Sequence, residues 1–537
     1  MNAFGQVLRA EFTKFRTVRG WVVAAVAAAG ATILLGLLPG MQGSCGRNGP
    51  GSECAPTLGP GGEVVVDSFA FAHRPLTGDG SITVRVTSLT SRLLDPGPDG
   101  PPPDDGSPHE ASAREAATPG ASPRGSRPAV VPWSKAGLIL KAGTAQSSSY
   151  AAVLVTGGHG VRMQYDYTHD RAGTPGTVST DSPRWLRLTR TGDTVAGAES
   201  PDGTTWTTVG SVRLAGLPPT VEAGLFTTSP QHAERVGGSL GAGTTGGPTE
   251  ATGTFDHLLV RDEARSAGAP GQVARPAWEG ENVGMPGPAP QVPGGDLERA
   301  GGVFTVTGSG DIAPAVAGAA GIGVSLARTL AGTFVMLLVV TVVSTGFITA
   351  EYRCGLIRTT LTASPRRGRL LAAKAVVVGA VAFVTGLVAA AVAVVLGQRV
   401  LRGNGVYVHP ATTPTELRVI VGTAALLAVA AVLALGLGTL LRRGVTAVAT
   451  AVAVIVLPYL LAMTVLPDGA ARWLLRVSPA AAFALQQTAT QYPQVANLYT
   501  PANGYFPLAP WAGFGVLAGW AALALGTAAV LLRRRSA

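Results

Sequence analysis

Lysine is almost missing from this sequence of 537 residues, occurring only at positions 14, 135, 141 and 374. None of the four follows a glycine, so a GxxxxGK[ST] phosphate cradle is absent and the chain is not itself a P-loop ATPase. Cysteine is nearly as rare, with three residues, and histidine numbers seven. No HExxH string or paired-cysteine spacing supports zinc, and His159 and His169 lack a ligand partner at metal-binding spacing. Neither a metal nor a cofactor is therefore expected in this chain. Charge is sparse as well: only 13% of residues are charged and mean hydropathy is +0.31. That is too apolar for an ordinary soluble protein of this length.

The net charge of +10 would suggest a nucleic-acid partner if it formed a patch. It does not. Residues 44–311 carry 27 acidic and 20 basic groups, a balance of −7, which leaves 4 acidic and 21 basic groups, or +17, for the rest. The excess lies beside apolar runs, as the positive-inside bias of membrane proteins demands, and no basic surface interleaved with aromatics is present to hold a phosphate backbone. The partner expected from composition is a lipid bilayer.

Residues 21–39, WVVAAVAAAGATILLGLLP, are uncharged and long enough to cross a bilayer. They exceed the usual apolar core of a signal peptide, and no clean A-x-A site follows. Further spans are expected at about 326–350, 375–397, 417–441, 445–466 and 510–532, making six. None holds an acidic residue that would mark a proton relay. With a cytoplasmic N-terminus the inner segments collect fifteen cations, among them Arg9, Lys14, Arg353, Arg358, Arg442 and Arg533, against Glu11 and Glu351 alone. The short outer loops hold Arg399, Arg402, Arg418, Arg472 and Arg476 against Glu416 and Asp468. This asymmetry predicts a multi-pass cell-membrane protein with both termini cytoplasmic and residues of about 40–325 extracellular.

Residues 1–20 form a basic segment in which Phe4, Val7, Leu8, Phe12 and Phe15 recur at helical spacing. This is either an interfacial amphipathic helix or a plain leader to the first span. Cys45 and Cys54 lie in the linker 40–63, on the predicted outer side, where they either close a short disulfide loop or remain two thiols.

Residues 64–262 read as β-strands separated by turn signals such as Gly157-Gly158 and Asp202-Gly203. A low-complexity insert at 95–128 interrupts them, and a Gly/Pro-rich linker spans 263–322. Strands at this spacing without intervening helical patterns predict an antiparallel sandwich. The blocks GDGSITVRVTSL, WSKAGLILKAG, GHGVRMQYDYTHD, PRWLRLTRTGDTVAGAESPDGTTWTTVG and EAGLFTTSP resemble the concanavalin-type or laminin-G-like jelly-roll family. By that resemblance Trp133, Tyr165, Tyr167 and Trp206, together with Trp185, could stack on an envelope glycan, and Asp166 with Asp170 could hold calcium. Against this, tryptophan in sandwiches commonly fills the core and aspartate in loops commonly makes turns.

The segment 323–376 contains EYRCGLIRTTLTASPRRGRLLAAK and resembles the second span and following loop of permease subunits of type-2 ABC transporters. LRAEFTKFRTVRGW resembles the opening of the same family. The resemblance implies that loop 351–374 carries a coupling helix docked in a cleft of a separate ATPase subunit, which would bind the ATP. Glu351, Tyr352, Arg353, Arg358, Arg366, Arg367, Arg369 and Lys374 are its candidate coupling residues, and a second permease copy or homologue completes a dimer. The alternative is a loop whose cations merely set topology.

The expected fold is thus a membrane all-α bundle of six transmembrane helices (permease region 323–537 with the first span) plus an inserted all-β extracellular jelly-roll sandwich. The expected function is the permease of an ATP-driven exporter, not an enzyme. The rival is a membrane-anchored glycan-binding or sensing protein.

Overall fold

The computed structural model describes residues 3–38, 56–94, 126–238, 241–262, 278–284, 296–300, 302–318, 322–353 and 367–534. Each apolar run becomes a helix, because in lipid a backbone can satisfy its own polar groups only by internal hydrogen bonding. Helix α1 (Ala3–Thr17) precedes α2 (Arg19–Leu37). After the β-rich middle come α3 (Thr333–Arg353), α4 (Arg367–Gly403), α5 (Thr413–Leu441), α6 (Gly444–Ile455), α7 (Leu457–Thr464), α8 (Asp468–Val477) and α9 (Pro510–Arg534). Among the described residues five helical segments are long and apolar enough to cross a membrane, and a sixth results if α6 and α7 count as one span bent by 43°. The sequence predicts an uninterrupted span at 445–466; the bend follows from Pro458, which lacks an N–H and crowds the carbonyl four residues back.

Helix α4 also starts earlier than the hydropathy suggests. It takes Arg367, Arg369 and Lys374 into its first turns, so 351–353 and 367–374 of the expected loop 351–374 are helical, while 354–366 lies outside the described residues. Arginine and lysine are good helix formers, so charge does not end the helix where it ends the apolar run.

Helix α5 is the central element and packs against α3, α4 and α9. Small residues let the backbones approach. At Gly513 an added Cβ would lie 2.1 Å from the Ala481 carbonyl oxygen, and at Gly36 2.2 Å from that of Thr329.

The middle of the chain holds nineteen strands among the described residues. They begin with β1 (Val65–Asp67), β2 (Phe69–Thr77), β3 (Gly80–Leu94), β4 (Ser126–Pro128), β5 (Lys135–Lys141), β6 (Tyr150–Thr156), β7 (Val161–Tyr165) and β8 (His169–Ala172). Then follow β9 (Arg184–Thr191), β10 (Thr194–Ser200), β11 (Thr207–Arg213), β12 (Thr220–Thr228), β13 (His232–Gly238), β14 (Gly241–Gly247) and β15 (Thr249–Asp262). The last are β16 (Glu279–Val283), β17 (Asp296–Ala300), β18 (Val303–Gly308) and β19 (Ile312–Pro314). One sheet runs β16-β2-β12-β5-β6-β7-β8 and the other β11-β10-β9-β3-β15-β18-β17, with β4 paired to β3. Of the insert 95–128, then, Ser126–Pro128 is a strand, while 95–125 lies outside the described residues.

The two sheets pack face to face. Leu138, Leu140, Val153 and Val155 of one meet Ile82, Val84, Leu186, Leu188 and Phe255 of the other. Strands β9 and β10 alternate buried and less buried residues, as a sheet with one covered face must. Strands β5 and β6 are buried at every residue, because their second face is covered too. There Ile139, Tyr150, Leu154 and Phe226 pack with Val65, Val283 and Ile312, and Val65 and Ile312 belong to the ribbon β1/β19 that joins the sandwich to α2 and α3.

Two lysines fasten that ribbon. Lys141 Nζ lies 2.8 Å from Asp67 in β1, and Lys135 Nζ lies 2.6 Å from Asp311, which precedes β19. Both lysine side chains are fully buried. Burial pulls the Lys141 amine below the ordinary lysine value, against the pull of Asp67.

Truncating a side chain shared by both sheets leaves a void that strands cannot close. Leu138→Ala is therefore expected to cost about 2–5 kcal/mol. Pulse proteolysis of the full-length protein in detergent measures this; an unchanged midpoint would remove Leu138 from the core.

Candidate functional site

The sequence places candidate coupling residues around 351–374, and the helices flanking this segment meet α1 at the same end of the bundle. Helix α1 is amphipathic: Glu11 and Phe15 are buried, whereas Phe12, Arg9 and Arg16 are exposed. Phe15 packs against Trp21 and Phe347, with ring centroids 5.7 and 5.8 Å away. That contact turns Glu11 toward the bundle.

Glu11 meets Lys374 there. Lys374 Nζ donates to Glu11 Oε2 at 2.6 Å and to Glu351 Oε1 at 2.7 Å, and it sits 4.5 Å from the centre of the Phe347 ring. Lys14 Nζ closes the circuit, donating to Glu11 Oε1 at 3.0 Å and to Glu351 Oε1 at 3.2 Å. Two ammonium groups and two carboxylates thus cancel in a cluster that ties α1, α3 and α4 together. Partial burial lowers the Lys14 amine, but its hydrogen bond to Glu11 and the two carboxylate charges outweigh this and hold its pKa above the ordinary value. A raised amine contributes fully below the unfolded pKa and loses its contribution only as pH rises through the higher folded value. The Lys14 contacts are therefore intact throughout the neutral range.

Around this neutral centre lies a rim of exposed cations: Arg353, Arg369, Arg442, Arg443 and Arg533. Arg442 stands 5.3 Å from the centre of the Tyr352 ring. Arg367 Nη1 donates to the Leu532 carbonyl at 2.6 Å and so joins the start of α4 to the end of α9. Of the eight candidate coupling residues, Glu351 and Lys374 face inward, Tyr352 and Arg367 are half-buried, and Arg353 and Arg369 face outward. Arg358 and Arg366, with Cys45 and Cys54, lie outside the described residues. Sequence reading missed Glu11, although the signal was there: Glu11 and Glu351 are the two acids among fifteen cations.

The candidate ligand residues of the sandwich are engaged with the sandwich itself. Trp133 stacks on His159 at 4.0 Å between centroids, with Arg162 at 5.5 Å from its ring. Tyr167 is buried and donates to Asp67 at 2.8 Å. Tyr165 stacks on His169 at 4.4 Å, and the Arg187 guanidinium lies 3.8 Å from the Trp206 ring centre. Trp185 lies 5.8 Å under Arg85. Asp170 pairs with Arg162 and Gln164, and Asp166 accepts from Ser149. Among the described residues no group of three or more histidine, cysteine or acidic side chains could hold a metal ion.

The sequence profile of the ABC-2 family transporter proteins matches residues 180–537. No curated protein matches the chain. Among solved structures, a functionally unknown protein from Saccharomyces cerevisiae shares 12% identity over 35% of this chain and 71% of its own, with a TM-score of 0.19. Scytalido-glutamic peptidase with a transition-state analogue inhibitor shares 10% identity over 45% of this chain and 98% of its own, with a TM-score of 0.24. Likeness at these scores adds nothing to the assignment.

Removing the buried amine at the centre would leave two buried carboxylates facing each other with only the half-exposed Lys14 between them. Lys374→Met is expected to destabilise the bundle by about 3–5 kcal/mol, whereas Arg353→Gln, at an exposed position, should change it by less than about 0.5 kcal/mol. Thermal unfolding in detergent separates them; equal melting temperatures would show that the cluster carries no stability.

Proposed function

The chain belongs to the ABC-2 transporter family, and from that premise we propose that it is the membrane permease of an ATP-driven exporter, worked by a separate ATPase through the segment between α3 and α4. Family membership and the apolar helices make it a multi-pass membrane transport subunit and not an enzyme. The family implies an ABC ATPase as partner.

One observation carries the coupling role. The segment 354–366 is anchored at both ends in helices whose bases Lys374 ties to each other and to α1. A push on a segment tethered in this way moves α1, α3 and α4 as one body, because packed helices shift rigidly instead of deforming. Helix α3 carries that shift over roughly 30 Å, at 1.5 Å per residue, to the opposite end. There Thr32 Oγ1 of α2 bonds the Gly332 carbonyl at 3.2 Å, just before α3 begins.

In this reading the cation-rich end is cytoplasmic by the positive-inside bias. The sandwich, a jelly roll of the concanavalin or laminin-G kind, lies outside, near enough to meet cargo or an envelope glycan, and Cys45 pairs with Cys54. Exposed Val23, Val26 and Leu34 on α2 face lipid or a second permease copy, and cargo passes between the two copies.

Arg353, which is exposed, and Arg358 serve as docking groups in this reading. Reversing Arg353 and Arg358 to Glu should abolish recovery of the ATPase that co-purifies with the tagged full-length protein. Stimulated ATP turnover should fall about tenfold or more, which corresponds to about 1.4 kcal/mol of docking free energy. Full recovery of the ATPase by the doubly reversed protein would contradict the coupling role.

A further inference from the structure

At the end of the bundle that bears the sandwich, a cavity of about 360 Å³ opens between α8 and the segment 491–507. Helix α8 supplies one wall. Its sequence, DGAARWLLRV, puts Ala471 and Leu475 into the core at 4% and 1% exposure and sets Arg472 and Arg476 one turn apart on the cavity side. The opposite wall holds Tyr499, Thr500 and Tyr505, and among the described residues no acidic side chain lines the cavity.

That wall is held rigidly. Tyr499 donates to the Tyr492 carbonyl at 2.7 Å and meets Tyr505 edge-on, with centroids 4.7 Å apart. Tyr505 and Asn497 both donate to the Ala317 carbonyl, at 3.0 and 2.9 Å, in the strand-to-helix connection leaving the sandwich. Burial pushes the Tyr499 hydroxyl up to about 12, so it is neutral at physiological pH and the formal charges among the described lining residues are both positive.

The position marks a membrane surface. Trp473 and Val477, next to the two arginines on α8, are 64% and 42% exposed, and Trp511 at the start of α9 is 63% exposed. Exposed tryptophans near the ends of membrane spans, Trp473 in the short helix α8 and Trp511 at the start of α9, are the usual occupants of the headgroup region. An arginine pair beside an exposed apolar strip fits a ligand with an anionic head and a hydrocarbon tail.

We propose that this cavity binds the anionic phosphate headgroup of a membrane amphiphile, Arg472 and Arg476 pairing with the phosphate oxygens while the tail lies along Trp473 and Val477. The inference needs α8 to lie at a membrane surface. It does not need the ATPase to dock at 354–366, so either can fail alone.

Native mass spectrometry of the full-length protein with phosphatidylglycerol, with phosphatidylcholine and with inorganic phosphate alone tests it. The wild type should retain phosphatidylglycerol in preference to phosphatidylcholine, and millimolar phosphate should not displace it. Arg472→Gln with Arg476→Gln should weaken retention about tenfold or more, whereas Arg399→Gln with Arg402→Gln, exposed at the same end but outside the cavity, should leave it unchanged. Thr500→Trp fills the cavity from the opposite wall and should weaken retention as well, independently of charge. Equal retention by the wild type and by both cavity variants overturns the site. Binding of inorganic phosphate without retention of phosphatidylglycerol overturns the amphiphile.

Discussion

A lysine ammonium held against carboxylates is the interaction on which this architecture depends. The chain places nearly all its positive charge on arginine, yet each of its four lysines contacts an acidic side chain, and three are fully buried. A buried ammonium without a partner costs several kcal/mol, so each site is sustained only while the partner segment stays in place. The choice of lysine follows from shape. An ammonium is a compact point charge with three donors, whereas a guanidinium needs five acceptors in a planar fork. The partners are far apart in sequence: 74 residues for Lys141 and Asp67, 176 for Lys135 and Asp311, and 363 for Lys374 and Glu11.

These contacts divide between the two ends of the molecule. At one end Lys135 and Lys141 press the ribbon β1/β19 onto the sandwich, covering the second face of β5 and β6 and placing the connection to α3 against the segment 492–505. Gln494 there donates to the Thr168 carbonyl of the sandwich at 3.0 Å. At the other end Lys374 gathers α1, α3 and α4. In the proposed mechanism this makes the bundle a lever: force enters beside one lysine cluster and reaches the segment that the other two hold.

The apolar helices and most strands of the sandwich were legible in the sequence because both follow from periodicity, uninterrupted apolar runs for the helices and alternation broken by turns for the strands; β16, β17, β18 and β19, however, fall within 263–322, which reads as a Gly/Pro-rich linker. The limits of α4 were less so, since hydropathy stops at the first charge while a helix of arginine and lysine does not. The bend at 456 lay in plain view as Pro458, but a window average of hydropathy passes over a single proline. Sheet order and the double burial of β5 and β6 depend on pairings from about eighty to more than two hundred residues apart, which local pattern does not encode. The same limit hid Glu11 as the partner of Lys374. The aromatics of the sandwich were readable as candidates but not in their role, because stacking on His159, His169 or Arg187 depends on strand register.

The account rests on which end of the bundle faces the cytoplasm, since a coupling segment is useful only on the side that holds ATP. Single cysteines at Ser364 and at Thr204, an exposed loop residue of the sandwich, introduced into a chain whose Cys45, Cys54 and Cys354 are replaced by serine, can be probed in intact cells with a membrane-impermeant maleimide. Labelling at 204, with labelling at 364 only after the membrane is opened, is the predicted result. Labelling at 364 in sealed cells, with 204 protected, would contradict it.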